Sequence, residues 1–596
     1  MKTNLKHIQY LRAIAILLVI LFHLKVPGFA YGYLGVDIFF VISGFIMLHL
    51  YPVIDNGKKA LTFWKRRVRR ILPAFLTTTT LFLVLFWIVS LPFERNSILH
   101  QYLVSNLFIS NLYFWSQDQY FSSATLRPYL HTWSLSVELQ FYLLFPLIAF
   151  HARKKQFNLS LITFFSLAIF ILLQQYSPNT SFFWTPFRFW EFCVGMFVAI
   201  HYKQKRQIES KYSIFILLLA LFLLVITLTF FDFGPNNPIN NFLCVQLTAL
   251  LLHLGNYTLK DHSIIDNILM KIGARSYVYY LVHFPLILLL NYRPFRGNQE
   301  IFESFLFSFF YCVLLILISE LLHKYVERPN WSRFKLRNFL KINISLVLFI
   351  SLTFSQTPTL NLDTSQRRVN ISNSQEDRVA FRCGLLARMS LVQFLLPSTQ
   401  YCKIYDGISS SKFLLIGNSH ADSIKVTLSR AVQDVGGDLY LAQENTNVSK
   451  ENVKALIKII KRLEPTTVIF HSSHGSYNFS ALDLLIRSTQ NIVDRFVLVL
   501  PIPVYEYHVP EYLLFNNFRH SGQNIQYFSE KYESEFQLLE QLSDRYGILF
   551  VSTLESFCSP KCLLADSEFR PYYFDNNHLT LTGANLLYSS LLRALR

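Results

Sequence analysis

The chain has 596 residues, of which 52% are hydrophobic, 16% aromatic and only 15% charged. Soluble domains carry about 25% charged residues, so this composition excludes an ordinary soluble protein and indicates a membrane protein. The formal net charge of +18 is explained by basic loops on one side of a bilayer, and it gives no reason to expect a nucleic-acid partner.

Eleven segments are predicted to cross the membrane, because each comes close to the roughly 20 apolar residues that a helical crossing needs. They span residues 8–27, 33–51, 72–91, 133–151, 158–175, 183–202, 213–231, 239–256, 272–293, 302–324 and 340–355. Strongly basic connecting segments alternate with weakly charged ones, and basic segments mark the cytoplasmic side. This pattern predicts a cytoplasmic N-terminus and places the chain after about residue 355 outside the cytoplasm.

An α/β domain is predicted after the last crossing. A polar stretch from residue 356 is typical of a linker. Beyond it, short apolar runs such as 413–417 and 496–503 alternate with helical patterns such as 452–463, which favours a parallel sheet covered by helices. The predicted divisions are a membrane domain, a last crossing with linker, and an extracytoplasmic α/β domain, at 1–335, 336–378 and 379–596.

Four cysteines, Cys383, Cys402, Cys558 and Cys562, fall in the predicted extracytoplasmic domain. An even number in an oxidising compartment indicates two disulfides, most simply Cys383 with Cys402 and Cys558 with Cys562, although three pairings are possible. A zinc site is the weaker alternative, because a single C-x3-C pair lacks the usual second pair of ligands. No metal is therefore predicted.

Ser419 is a candidate nucleophile. It follows the predicted strand "FLLIG" and opens the helical pattern "SHADSIKVTLSRAV", where free N–H groups at a helix start can stabilise an oxyanion. Near the C-terminus, His578 could take the serine proton, and Asp575 three residues before it could orient the imidazole. In the alternative interpretation, Ser419 only caps a helix and the other two are surface loop residues.

These two stretches resemble the SGNH hydrolase family, whose first block is G-D-S and whose last is D-x-x-H. The resemblance implies a Ser419–His578–Asp575 triad and an SGNH-hydrolase-like fold. Position 418 departs from the family, since Asn418 stands where Asp is usual. The family's Gly and Asn blocks, which complete its oxyanion hole, have no convincing match; Gly475 and either Asn445 or Asn447 are the candidates.

Ionisable side chains within the predicted crossings indicate a polar site, because such groups are costly in lipid and face the bundle interior or a wet cavity. Arg12 and His23 are eleven residues apart, about three helical turns or roughly 16 Å, so they share one helix face and are predicted to line one pocket. Asp37 returns to the depth of His23 in the second crossing. It is predicted to orient the imidazole or to hold its proton.

The stretch "YLRAIAILLVILFHL" carries an R-x10-H pattern, and "GYLGVDIFFVISGFIM", "FWKRRVRRILPAF", "HTWSLSVELQFYLLFP" and "SYVYYLVHFPLILL" follow it. Over roughly residues 7–330 these blocks resemble membrane acyltransferase family 3, and the fusion to an SGNH domain resembles bacterial envelope O-acetyltransferases of the O-antigen-modifying type. The resemblance implies acetyl transfer from cytoplasmic acetyl-CoA, across a bacterial inner membrane, to a surface polysaccharide, without a bound cofactor. Lipopolysaccharide O-antigen is the expected acceptor, with peptidoglycan as the alternative.

The donor side is assigned to basic residues. Seven Lys and Arg residues lie between Lys58 and Arg70 with no acid among them, a pattern suited to the phosphates of CoA. The positive-inside rule alone is the competing explanation. Arg69 and Arg70, beside the start of the next crossing, and Arg12 are the predicted donor ligands.

The outer half of the pocket is assigned to Trp133 and Glu138, because "WSLSVEL" is unusually polar for a crossing. His283 is either part of the site or packing. His23 would then act as a buried base or acyl relay, and Ser419 would pass the acyl group to a sugar hydroxyl. Two alternatives remain open, an esterase tethered to the membrane and a secondary transporter, and neither explains both sets of residues.

Overall fold

In the computed structural model the chain divides into two compact units, one built mainly from residues 1–357 and the other mainly from residues 358–596. The structure describes residues 6–54, 56–117, 126–154, 156–202, 237–254, 264–294, 305–328, 400–407, 411–442, 448–516 and 521–596, with residues 338, 341, 370, 371, 374 and 377.

The first unit is helical in the part that the structure describes. Its main helices are α1 (Lys6–His23), α2 (Gly35–Leu50), α3 (Gly57–Val89), α4 (Pro92–Asn106), α5 (Ser110–Ser116), α6 (Thr132–Lys154), α7 (Gln156–Tyr176), α8 (Pro178–Phe183), α9 (Thr185–His201), α10 (Pro238–Leu254), α11 (Ile264–Leu290) and α12 (Phe305–Leu322). Six helices among the described residues are long and apolar enough to cross a membrane, in agreement with the predicted membrane character. The predicted crossings 213–231 and 340–355 lie outside the described residues.

Helix α3 begins at Gly57 rather than at residue 72. The prediction that the basic segment 58–70 is one of the loops connecting two crossings was therefore wrong. Asn56 caps its start by accepting a hydrogen bond from the Lys59 N–H at 3.0 Å, which satisfies one of the free donors of the first turn. The basic segment is therefore helical, and residues three apart along it share a face.

Helices α2 and α9 pack with their backbones in contact. A Cβ on Gly44 would lie 2.0 Å from the Phe192 carbonyl oxygen, and a Cβ on Gly195 would lie 2.0 Å from that of Val41. Only glycine allows this approach, as at many helix contacts in membrane proteins. The contact brings Asp37 on α2 within reach of α9.

The second unit is an α/β domain. Its strands are β1 (Tyr401–Tyr405), β2 (Lys412–Gly417), β3 (Asp438–Ala442), β4 (Thr467–His471), β5 (Arg495–Val499), β6 (Ser521–Asn524), β7 (Leu549–Val551) and β8 (Lys561–Leu563). Its helices are α13 (Ser419–Asp434), α14 (Val453–Leu463), α15 (Phe479–Thr489), α16 (Val509–Phe515), α17 (Ile525–Tyr546), α18 (Leu554–Phe557), α19 (Leu581–Ala584) and α20 (Tyr588–Leu595). A six-stranded sheet has the order β1-β3-β2-β4-β5-β7.

Strands β3, β2, β4, β5 and β7 pair in parallel and β1 joins the edge antiparallel, so the predicted, mostly parallel sheet is present. Along β2, Phe413 and Leu415 pack into one apolar core, and Leu414 and Ile416 pack into another. Alternate residues of a strand point to opposite faces, so helices cover both faces. The chain leaves β2 for β3 on one side and reaches β4 on the other, and ligands bind at such switch points.

Cys558 and Cys562 form a disulfide, as the simplest pairing predicted. Cys402 is also disulfide-bonded. Cys383 lies outside the described residues, so its pairing with Cys402 stays a prediction.

Candidate active site

Ser419 lies at the switch point, as the first residue of α13 directly after β2. Two neighbours fix it there. Gly417 has room for no side chain, because a Cβ would lie 1.8 Å from the His471 carbonyl oxygen of β4. Asn418 caps α13 by accepting the His420 N–H at 3.0 Å. The serine is thus held at the carboxyl edge of the sheet on a helix N-terminus.

The structure brings together the three residues that the sequence proposed as a triad. Ser419 Oγ lies 2.6 Å from His578 Nε2, and His578 Nδ1 lies 2.6 Å from Asp575 Oδ2. Both distances are those of hydrogen bonds, so the serine, the imidazole and the carboxylate form one chain of contacts. Phe574 stacks on the imidazole, with the ring planes 11° apart, which restricts its rotation.

Asp575 is held as a carboxylate. Burial raises the pKa of its carboxyl group, but hydrogen bonds from His578 and from the backbone N–H of Asn577 outweigh burial, and the pKa lies below its ordinary value. A carboxylate that stays ionised at neutral pH can stabilise the imidazolium that forms when His578 takes a proton.

The Asn418 amide makes two hydrogen bonds, one as acceptor and one as donor. Its Oδ1 accepts from the His420 N–H, and its Nδ2 donates to Ser473 Oγ at 3.0 Å. An ionised aspartate has no donor, so with it the second bond would form only if the Ser473 hydroxyl became the donor. The departure from the family's first block is therefore explained by a tie between α13 and the loop after β4.

We expect Asn418→Ala to destabilise the second unit by about 1–2 kcal/mol, because it removes a helix cap and one partly buried hydrogen bond. Asn418→Asp should keep the cap and lose only the amide's donation to Ser473, so its cost should be smaller. Hydrogen exchange of peptides from α13 in the full chain measures both effects. Equal protection in the alanine variant and the wild type would contradict the assigned cap.

Gly475 is not available as an oxyanion donor, and this prediction was wrong. Its N–H points to the Glu535 carboxylate, 3.1 Å and 3.2 Å from the two oxygens. Its φ of +76° places the turn in the conformation that glycine favours. Asn445 and Asn447 lie outside the described residues. The Asn445 or Asn447 assignment therefore stays a prediction. The Ser419 N–H, at the first position of α13, has no acceptor within its own helix and is a further candidate.

Two further histidines, His420 and His471, lie beside the triad and were not predicted as part of the site. The His420 ring is 5.1 Å from that of His578 and 5.9 Å from that of His471. Burial lowers the pKa of His420 well below its ordinary value and that of His471 to about 4. Both are therefore neutral when the triad works near neutral pH, and neither adds positive charge beside His578.

Because these two histidines are buried in the neutral form, we expect the free energy of unfolding of the second unit to fall in acid. Between about pH 6.5 and pH 4 the unfolded chain binds a proton at His471 that the folded chain does not, so stability falls as the pH falls. The slope should reach about 1.4 kcal/mol per pH unit for each such histidine. Hydrogen exchange of β4 peptides, compared between the wild type and His471→Asn across this range, measures it. Identical pH slopes in the two proteins would refute the prediction.

In the first unit, residues of five helices, α1, α2, α3, α6 and α11, line a cavity of about 110 Å³, here called the arginine cavity. Arg12 comes from α1, Arg67 and Arg70 come from α3, and Glu138 comes from α6. Arg67 also donates to the Tyr51 hydroxyl at 3.2 Å. A cavity with three guanidinium groups and one carboxylate is suited to an anionic ligand.

Arg67, not the predicted Arg69, lines the arginine cavity together with Arg70. Arg69 is exposed and does not line the arginine cavity. Two positions along a helix differ by about 200° in direction, whereas three positions return nearly to the same face. Helical phase along 57–89 could have identified the pair Arg67 and Arg70, had the segment not been assigned to a loop.

Glu138 belongs to the arginine cavity rather than to the same space as Trp133. Its carboxylate accepts hydrogen bonds from the hydroxyl groups of Ser43 and Tyr142, both of which line that cavity. Trp133 lines a second, smaller cavity. The expectation that the two residues share the outer half of one pocket is therefore corrected.

The second cavity, here called the histidine cavity, measures about 20 Å³ and is lined by His23. His131, which the sequence analysis missed, also lines it, and the buried His283 places its ring 5.1 Å from that of His23. Arg12 and His23 thus line two cavities, not one. Val36 and Tyr280 line both, so these two side chains form the partition between them.

Asp37 does not orient His23, and this prediction was wrong. Its carboxylate lies 3.1 Å from Arg188 Nη2 and accepts a hydrogen bond from Asn241 Nδ2 at 2.8 Å. Arg188 Nε in turn lies 2.7 Å from Glu191 Oε1. His23 Nδ1 instead bonds the Val19 carbonyl oxygen of its own helix at 2.9 Å.

Comparison with known protein families assigns both units. Residues 5–324 match the family described as acyltransferase domain. The chain belongs to this acyltransferase family. Residues 387–592 match the family described as SGNH domain fused to AT3 domains, so the two resemblances seen in the sequence are confirmed.

Individual relatives are also acyltransferases by name. O-acetyltransferase OatA of Staphylococcus aureus strain NCTC 8325 is 28% identical over 54% of this chain and 56% of its own length. The chain thus spans little more than half the length of that relative. A protein of Staphylococcus aureus strain MRSA252, provisionally named O-acetyltransferase SAR0937, is 27% identical over 80% of this chain and 84% of its own length.

Among solved structures, the periplasmic domain of a lipopolysaccharide acetyltransferase from Salmonella ser. Paratyphi A is 18% identical. It covers 31% of this chain and 84% of its own, with a TM-score of 0.26.

Proposed function

We propose that this chain is an O-acetyltransferase that moves acetyl from cytoplasmic acetyl-CoA across a bacterial inner membrane to hydroxyl groups of a surface polysaccharide. One observation carries the proposal: a Ser419–His578–Asp575 triad with hydrogen-bond distances of 2.6 Å is fused to a membrane unit of an acyltransferase family. The proposed topology has eleven crossings, a cytoplasmic N-terminus and a periplasmic second unit.

The arginine cavity is the proposed donor site. Guanidinium groups pair with phosphate through two parallel hydrogen bonds, and Arg12, Arg67 and Arg70 together outnumber the single carboxylate of Glu138 in this cavity. We propose that these arginines hold anionic groups of acetyl-CoA with the thioester directed toward the partition.

His23 is the proposed relay. Its imidazole lies across the partition from Arg12 and within a cluster of three histidines. In the proposed step an imidazole nitrogen attacks the thioester carbonyl carbon, a carbon–nitrogen bond forms, the carbon–sulfur bond breaks, and CoA leaves as the thiol with the imidazole proton. The acetyl group is then activated for further transfer.

Ser419 is the proposed final carrier. His578 takes the Ser419 proton as Oγ attacks the acetyl carbonyl, and the previous carrier leaves with that proton. A sugar hydroxyl then attacks the acetyl-serine, His578 takes the hydroxyl proton, and it returns a proton to Ser419 Oγ as the new sugar ester forms. The Asp575 carboxylate keeps the imidazole in the required tautomer throughout.

Lipopolysaccharide O-antigen is the first proposed acceptor and peptidoglycan is the second. The test compares the source bacterium, a deletion strain and the deletion strain carrying the full chain. Mass spectrometry of base-labile acetyl groups on purified lipopolysaccharide and on purified peptidoglycan should show one glycan that loses acetyl on deletion and regains it on complementation. Unchanged acetyl on every surface glycan would reject the proposal.

A further inference from the structure

The histidine cavity has the volume of a single small group. At about 20 Å³ it only just exceeds the roughly 10–15 Å³ that one water molecule requires. Several of the residues that line it are aromatic, among them Trp133, Phe182, Tyr280 and Phe284. The arginine cavity, at about 110 Å³, imposes no comparable limit.

The walls of this cavity are held in place from behind. The Arg188 guanidinium lies 5.9 Å from the Trp133 ring and 5.7 Å from the Phe182 ring, and the two rings lie 4.2 Å apart. Arg188 itself is 1% exposed and is fixed by ion pairs to Asp37 and Glu191. A wall supported by a buried ion cluster cannot move aside easily for a larger group.

On the other side, Phe284 closes the cavity against both histidines that line it. Its ring lies 4.9 Å from that of His23 and 5.6 Å from that of His131, and its side chain is 3% exposed. Phe284 therefore limits the space beside the His23 imidazole on this side of the cavity.

We propose that the histidine cavity selects the acyl chain by length, accepting acetyl and excluding propionyl and longer chains. This inference rests on the proposed function, in which the acyl group reaches His23. In the proposed acyl-imidazole the carbonyl group lies at the His23 nitrogen to which it is bonded, and only the methyl, about as large as a water molecule, enters the cavity. The ethyl of a propionyl group needs a further methylene for which the cavity has no room, and overpacking of this kind is costly.

The expected preference for acetyl over propionyl can be estimated from the one methylene by which the two groups differ. A hydrophobic site distinguishes ligands that differ by one methylene by about 10- to 200-fold. Phe284→Ala should open a space beside His23 and bring the ratio of propionyl to acetyl transfer at least about 10-fold closer to equality. Val36→Ala, which removes less volume from the same cavity, should act in the same direction with a smaller effect.

The experiment uses the full chain in the complemented deletion strain, grown with propionate so that both CoA thioesters are present. Base-labile propionyl and acetyl groups on the glycan are counted by mass spectrometry. Their ratio is divided by the ratio of propionyl-CoA to acetyl-CoA extracted from the same cells. A ratio of this kind is independent of how much folded protein each strain contains. The matched control is Phe45→Ala, since Phe45 is fully buried but stacks on His49 and lines neither cavity.

In the expected result, the wild type and Phe45→Ala discriminate against propionyl by at least about 10-fold, and Phe284→Ala does so much less. Propionyl transfer by the wild type in proportion to the CoA pools would overturn the inference. So would wild-type discrimination retained in both Phe284→Ala and Val36→Ala. Failure of the proposed function would be recognised separately. In that case the glycan would carry no ester that depends on this chain, or His23→Ala would leave the amount of that ester unchanged.

Discussion

Replacing Ser419 by alanine should lower acetyl transfer to the glycan by about 10⁴-fold or more, since removal of a catalytic serine leaves only binding and electrostatic contributions. Ser419 Oγ is 2.6 Å from His578 Nε2, and the structure shows no second hydroxyl in that contact among the described residues. The fold should survive, because Asn418, not Ser419, caps α13. Transfer is measured as chain-dependent acetyl on the purified glycan, at matched amounts of protein in the membrane.

Ser423→Ala is the matched control. Ser423 lies one turn further along the same helix, and its hydroxyl donates only to the Ser419 carbonyl oxygen, at 3.3 Å. Its loss should leave transfer within about twofold of the wild type. If Ser419→Ala instead raised the acetyl content of the glycan, the second unit would remove acetyl groups, and the tethered esterase considered from the sequence would replace the transferase.

Replacing Arg188 by methionine should destabilise the first unit by about 3–5 kcal/mol, the cost of leaving buried charge without its partner. Asp37 and Glu191 are 2% and 0% exposed, and Arg188 is the cation that both contact. Methionine restores much of the volume, so the loss reports charge more than packing. The midpoint of thermal unfolding in detergent, followed by tryptophan fluorescence, measures the effect, because all seven tryptophans precede residue 332.

Asp37→Asn provides the comparison. It removes one carboxylate but leaves the Arg188–Glu191 pair balanced, and an amide at position 37 retains an oxygen for Asn241. The loss of stability should therefore be well below that of Arg188→Met, and transfer through His23 should persist. A complete loss of transfer by a stable Asp37→Asn protein would reinstate Asp37 as a residue of the reaction.

The triad could be read from the sequence because its geometry is mostly local. Asp575 and His578 are three residues apart on one turn, and Ser419 follows an apolar strand at a point where parallel sheets place ligands. The strand pattern alone therefore fixed which edge of the sheet the serine occupies. Only the pairing of the two ends of the domain required the family resemblance.

The membrane site was harder to predict because its partners come from distant helices. Asp37 meets Arg188 through a close approach of α2 and α9 that depends on Gly44 and Gly195, and no spacing in the sequence announces it. Arg188 was absent from the predicted set because it stands among aromatic residues near a helix start. His131 lies two residues before Trp133 in a block that had been singled out, so attention to every ionisable residue in that block could have found it.

The partition formed by Val36 and Tyr280 also bears on the proton gradient of the membrane. A continuous column of water between the two cavities would conduct protons whenever the protein stood open. Tyr280 instead donates its hydroxyl proton to the His131 carbonyl oxygen at 2.8 Å and lies 2.6 Å from Ser134 Oγ, which ties the ring across the gap. In the proposed reaction an uncharged acetyl group would pass from one side of this wall to the other without a continuous column of water, so transfer would not dissipate the proton gradient.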